Sequence, residues 1–164
     1  MTQATIVITP EQLVDHWQGH RRLTRRVIEA FPEDKLFNYT IGGMRPFAEL
    51  ALEMIDMAAP GAQGIATGQW ETTHPTLKNV KQEKPKTKAA LLQLWDESTK
   101  EIDRLWPQIP GARFQVDDVA FGQWPNKVFA TLFYFIDNEI HHRGQGTVYL
   151  RSLGIEPPAF WDRS

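Results

Sequence analysis

Asn138 and His142 lie four residues apart in a stretch that otherwise reads as a core helix, and their side chains have chemistry to offer. An α-helix turns about 100° per residue, so positions four apart project from one face, about 40° apart. Asn138 and His142 therefore stand side by side, in a stripe shared with Phe135 and Tyr149. Asp137 and His141 form a second pair on the adjoining face. Nitrogen or oxygen donors at this spacing, on a stripe turned toward a bundle interior, are what helical bundles use to hold a divalent metal. The whole run Asp137-Asn138-Glu139-Ile140-His141-His142-Arg143-Gly144-Gln145-Gly146 carries more polarity than a helix needs for packing alone.

The elements that must position these groups are four helices. Thr9-Pro10-Glu11-Gln12 starts the first, with Thr9 as cap, Pro10 in the first turn and Gln12 placed for a capping box. Its stripe Leu13, Val14, Trp17, Val27, Ile28 and Phe31 runs to Pro32. Pro46 opens a second helix with Phe47, Leu50, Ala51, Met54, Ile55 and Ala58 at helical spacing, and Pro60-Gly61 is expected to stop it. A long connection, residues 61–86, is expected to pack over the helices, with Trp70 and His74 as pocket-rim candidates. Thr87 caps a third, amphipathic helix that ends at Pro107. Residues 114–124 read as a loop or short extended segment holding the solvated acids Asp117 and Asp118. The last helix is expected over residues 126–152, closing on Gly154, with the Phe160-Trp161 tail folded back onto the body. Gly144 and Gly146 inside it each cost roughly 1 kcal/mol against alanine, so another helix must approach closely, within the bundle or across a dimer.

The run Asn138-Glu139-Ile140-His141-His142-Arg143-Gly144-Gln145, with Tyr149-Leu150-Arg151, Leu153-Gly154 and Pro157-Pro158 after it, resembles the last helix of the DinB-like, YfiT-related metalloenzymes. Pro46-Phe47-Ala48-Glu49-Leu50-Ala51 resembles the start of that family's second helix. The resemblance implies an all-α four-helix bundle forming one domain over residues 1–164, often a homodimer, with a metal held by three histidines. Carried over position by position, those ligands fall on Glu53, Asn138 and His142, so this chain keeps one imidazole of three. Two oxygen donors in place of imidazoles move the preference away from Zn²⁺ toward harder ions. Without the resemblance, Glu53 reads as an exposed glutamate at the edge of an apolar face. His16 and His20 are again four apart; one reads as exposed and the other as a hydrogen-bonded boundary residue, with His20 the candidate for a further nitrogen ligand.

Composition narrows the classes. The chain has 164 residues, 41% apolar and 23% charged, as an ordinary globular domain does. No apolar run approaches the roughly 20 residues of a membrane span, and Met1 to Thr5 lack the basic start of a secretory signal. A cytoplasmic home is expected. The absence of cysteine removes disulfides, thiolate nucleophiles and sulfur ligands. A net charge of −2 speaks against nucleic-acid binding; Arg21, Arg22, Arg25 and Arg26 read as a solvated, salt-bridged face on which Glu29 pairs with Arg25. A Gly-x-Ser-x-Gly elbow and a phosphate-binding glycine loop are both missing.

Two functional readings remain. In the first, a Zn²⁺-, Ni²⁺- or Mn²⁺-like ion at Glu53 and His142, completed by Asn138 or His20, activates water or a thiol on a small-molecule substrate. The resemblance favours an external low-molecular-weight thiol in a transferase, with Arg143 and Tyr149 as substrate-binding residues. In the second, the metal site has decayed into a hydrogen-bonded polar network inside a binding or stress-response bundle, and His141 and Arg143 face a dimer partner or solvent.

Overall fold

A computed structural model describes residues 6–164, so Met1 to Thr5 and the reading of the N-terminus lie outside the described residues. The chain is mostly helical. Its four long helices are α1 (Pro10–Ala30), α3 (Phe47–Thr67), α4 (Lys88–Leu105) and α5 (Val128–Ser152); α2 (Glu33–Asn38) is a short turn of helix after α1. Thr9 caps α1 with the expected capping box, and Thr87 caps α4 by accepting from the Ala90 amide. α5 closes at Gly154, which takes the left-handed backbone (φ 75°) that suits a residue without Cβ.

α3 is the central element. It packs most extensively on α4 and α5, and α1 closes the other side of the same two helices. One part of the core gathers Ile28, Phe31, Leu50, Ile55, Trp95 and Tyr149; the other gathers Trp17, Ala62, Ile65, Ile102, Leu132 and Phe135.

Contrary to expectation, Pro60 does not stop α3, which runs on to Thr67 and ends on Gly68 (φ 79°). An interior proline forfeits one hydrogen bond and crowds the preceding turn, at about 3 kcal/mol. Beyond it, however, Ala62 and Ile65 are fully buried, and one buried isoleucine already returns about 1.5–3 kcal/mol. Gly61 and Gly64 are sites of close approach rather than turn signals. A Cβ on Gly61 would run into the Phe135 ring and one on Gly64 into the Trp70 ring. The connection to α4 accordingly shrinks to residues 68–87, with a 3-10 turn at Leu77–Asn79.

One small sheet accompanies the helices. β1 (Asp117–Ala120) and β2 (Trp124–Lys127) form an antiparallel hairpin that leads directly into α5, so Pro125 and Asn126 belong to a strand. Asp117 is solvent-exposed as expected, beside Lys127, whereas Asp118 is half-buried and paired with Arg113. The tail is tied down by polar groups, with Arg26 on Asp162 at 2.8 Å, whereas Phe160 and Trp161 are about 70% exposed and do not fold onto the body. Among the described residues no helix is long and apolar enough to cross a membrane.

Candidate functional site

Two polar clusters interrupt the apolar interior, and they divide the predicted residues between them. The first lies between α3 and α5. Glu53 on α3 accepts through Oε1 from His142 Nε2 at 3.0 Å and from Asn138 Nδ2 at 3.3 Å. Gln145, one turn beyond His142, meets its Nδ1 at 2.8 Å, so both ring nitrogens are engaged. The structure thus brings together Glu53, Asn138 and His142, the three positions singled out from the sequence. His141, by contrast, is exposed.

A fourth member was missed. Arg45, in the loop before α3, places Nη2 2.5 Å from Glu53 Oε2. Its backbone is held by Tyr149, whose hydroxyl donates to the Arg45 carbonyl at 2.8 Å. Tyr149 is fully buried, so it positions the loop from inside and does not line a substrate surface. Burial raises the pKa of Glu53, but hydrogen bonds from Arg45, His142 and Asn138 outweigh it and bring the carboxyl from 4.5 down to about 2.

The second cluster lies between α1, α4 and α5 and takes the other predicted residues. Glu139 accepts from Thr24 Oγ1 at 2.7 Å and pairs with Arg21 at 3.4 Å. Arg21 is wholly buried, stacked 3.5 Å above the Trp95 ring, so it is no part of a solvated arginine face. Arg25 does pair with Glu29, and with Asp96 as well. Arg143 is buried against α1, donating to Thr24 Oγ1 at 3.1 Å and lying 3.0 Å from His20 Nδ1; it faces neither solvent nor a partner.

His20 belongs to this second cluster and not to Glu53. As expected of the pair, His16 is exposed and His20 is buried and hydrogen-bonded. Arg143 approaches one ring nitrogen of His20, and Arg163 and His16 approach the other, each within 3.2 Å. Burial, reinforced by those two guanidinium groups, pulls its pKa from 6.5 to about 3, so the ring is neutral at physiological pH. A divalent cation placed there would face two arginines.

The same test applied to the first cluster gives a related answer. Glu53 and His142 supply one carboxylate and one imidazole, Asn138 adds a neutral amide, and Arg45 already balances the Glu53 charge. Among the described residues no three His, Cys, Asp or Glu side chains converge as a metal-binding group. The residues present do not fit a three-histidine metal centre. One feature runs the other way: Asn138 Oδ1 is buried and has no hydrogen-bond partner.

The cluster adjoins a cavity. Asp56 and Met57 lie one turn after Glu53 on α3, and Tyr134 and Phe135 one turn before Asn138 on α5; these four residues and the hairpin line an open cavity of about 540 Å³. That volume suits a small organic molecule. Of the two rim candidates, Trp70 lies against Phe121 and lines a neighbouring cavity, whereas His74 lines neither.

Residues 1–163 match the model of the DinB family. The chain belongs to that family. It is similar to the DinB-like protein YjoA of Bacillus subtilis, with a TM-score of 0.72 at 22% identity over 93% of this chain and 99% of that one. It is similar also to a DinB-like protein of Bacillus cereus, with a TM-score of 0.73 at 16% identity over 92% of this chain and 97% of that one. At such identities the likeness concerns the fold alone. No curated protein matches the chain.

Proposed function

We propose that this DinB-family chain is a cytoplasmic small-molecule-binding protein, one four-helix-bundle domain over residues 1–164 acting as a homodimer, that works without a resident metal. The observation that carries the reading is the Arg45–Glu53 ion pair at 2.5 Å. In a donor set reduced to one imidazole, the guanidinium supplies the positive charge that a metal would bring, and His142 and Asn138 take up the other carboxylate oxygen. The polar cluster then braces α3 and α5 one turn from where Asp56, Met57, Tyr134 and Phe135 line the cavity, and the ligand binds in that cavity.

Metal analysis tests this directly. Protein purified without a nickel column should carry no stoichiometric Zn, Ni or Mn, and calorimetric titration of those ions should show no tight site. Arg45→Ala removes the competing cation and should raise metal affinity. Stoichiometric metal in the wild type, lost in Glu53→Ala and His142→Ala, would overturn the proposal.

The orphaned Asn138 Oδ1 favours a second reading, a metal-dependent transferase in which Glu53, Asn138 and His142 hold a divalent ion. Such an ion would lower the pKa of a bound low-molecular-weight thiol. Turnover of a chlorinated aromatic electrophile with a panel of small thiols and added metal tests it. A rate no higher than the uncatalysed background removes it.

A further inference from the structure

We infer that the ligand of the 540 Å³ cavity is a neutral, planar aromatic molecule of one or two fused rings carrying a hydroxyl group. This rests on the small-molecule-binding reading above and names the class of molecule bound.

Phe121, Trp124, Tyr134 and Phe135 surround the cavity, and Gln123 and Thr131 supply amide and hydroxyl groups between them. Aromatic faces prefer offset-stacked or edge-on aromatic partners, a preference beyond simple area burial. Phe121 and Phe135 already meet edge to face at 6.1 Å, and Tyr134 meets Phe135 in the same way at 6.5 Å. Trp124 is different: the residue lines the cavity, is 66% exposed and is in no ring pair among the described residues. A flat ligand laid against Trp124 would give it the partner that the protein does not.

Phe121 is the non-glycine residue with positive φ, 54°, among the described residues. A bulky side chain in the left-handed region is strained and persists where the surroundings require it. Glycine would be the relaxed choice at this corner of the hairpin, as it is at Gly122, which adopts φ 69°. What glycine cannot supply is a ring at the boundary between the cavity and its neighbour, packed between Trp70 and Phe135.

Asp56 and Lys81, which line both cavities, are paired with each other at 2.6 Å, so this wall presents a dipole and no net charge. A charged ligand would have to break the pair to be balanced; a hydroxyl can donate to Asp56 without doing so.

The test is calorimetric titration of the full chain with 2-naphthol and, separately, with decahydro-2-naphthol, its saturated analogue. The expected result is saturable one-to-one binding of 2-naphthol, about tenfold tighter than the saturated alcohol, with about a tenfold loss in Trp124→Ala. Trp124 and Tyr134 are largely exposed, so Trp124→Ala and Tyr134→Ala should fold, which their thermal melting would verify. Equal affinity for the two alcohols, or unchanged affinity in both variants, overturns the aromatic assignment. So does failure of 2-naphthol to saturate. Metal content separates this from the preceding proposal: 2-naphthol binding that requires added metal would sink the metal-free reading and leave the ligand class standing, whereas metal-free protein that ignores 2-naphthol does the opposite.

Discussion

The buried hydroxyl of Tyr149 holds the carbonyl of Arg45 at 2.8 Å, so a residue on α5 fixes the loop whose guanidinium balances Glu53 on α3. The turn that brings Arg45 there uses Gly42 and Gly43, both at positive φ. Tyr149→Phe should therefore act twice. Loss of the hydrogen bond should cost about 1 kcal/mol of unfolding free energy. With Arg45 less well held, the Glu53 carboxyl should titrate above its present value of about 2, toward 4.5. Denaturant unfolding reads the first effect and carbon-detected NMR titration the second; an unmoved Glu53 titration would show that the anchoring has no bearing on the site.

Acid should erode the contribution of Glu53 in a definite window. Its pKa is lower in the folded protein, so its stabilisation is fully present above about pH 4.5 and is lost as pH falls toward about 2. Other acids, Glu101 and Asp118 among them, are lowered by their arginine partners and share the trend. The stability difference between wild type and Glu53→Gln isolates the one group. It should be constant above pH 5 and shrink steadily below pH 4.5 in urea titrations. A difference independent of pH across that range would mean that Glu53 gains nothing from its partners.

What could be read from the residues followed from periodicity, and what could not lay where periodicity ends. Asn138 and His142 share a helical face by arithmetic, and the structure places them together with Glu53. Arg45 sits in a loop, where no spacing rule says which way a side chain turns. His20 shows a different failure: its spacing makes it a boundary residue with reach to the interior, but a helix has several inward sides, and α1 buries this one against Arg143 instead of Glu53. Arg21 was unreadable for a related reason. A guanidinium is placed inside only when a carboxylate and an aromatic face from other helices await it, and Glu139 and Trp95 are 118 and 74 residues away in sequence. Pro60 misled because local propensity is outweighed by packing that becomes visible only in three dimensions.

The buried Arg21–Glu139 pair should be costly to break on one side. Glu139→Ala would leave a fully buried guanidinium without its carboxylate and Thr24 without its 2.7 Å acceptor. Removing one partner of such a pair costs about 3–5 kcal/mol. Replacing both, with Arg21→Met and Glu139→Leu together, should cost less than Glu139→Ala alone. A double-mutant cycle by chemical denaturation measures this; strictly additive effects would show that the two groups do not depend on each other.

Gly144 and Gly146, two residues apart on α5, should respond to alanine with opposite signs. A Cβ on Gly146 would run into the Phe47 ring, which is itself fully buried and cannot retreat, so the close approach expected from the sequence occurs here. Overpacking of that kind costs about 1–3 kcal/mol, more than the roughly 1 kcal/mol that alanine returns in helix propensity. Gly144 has no atom within 4 Å of its Cβ position and is exposed, so no contact inside the chain opposes alanine. Gly144→Ala should therefore raise the melting temperature and Gly146→Ala lower it. The proposed homodimer adds a condition. Exposed Ile140 and Val148 lie one turn on either side of Gly144. If this face forms the dimer contact, Gly144→Ala should instead weaken self-association in sedimentation equilibrium while stabilising the dilute monomer. Unchanged association would place the dimer contact on another face.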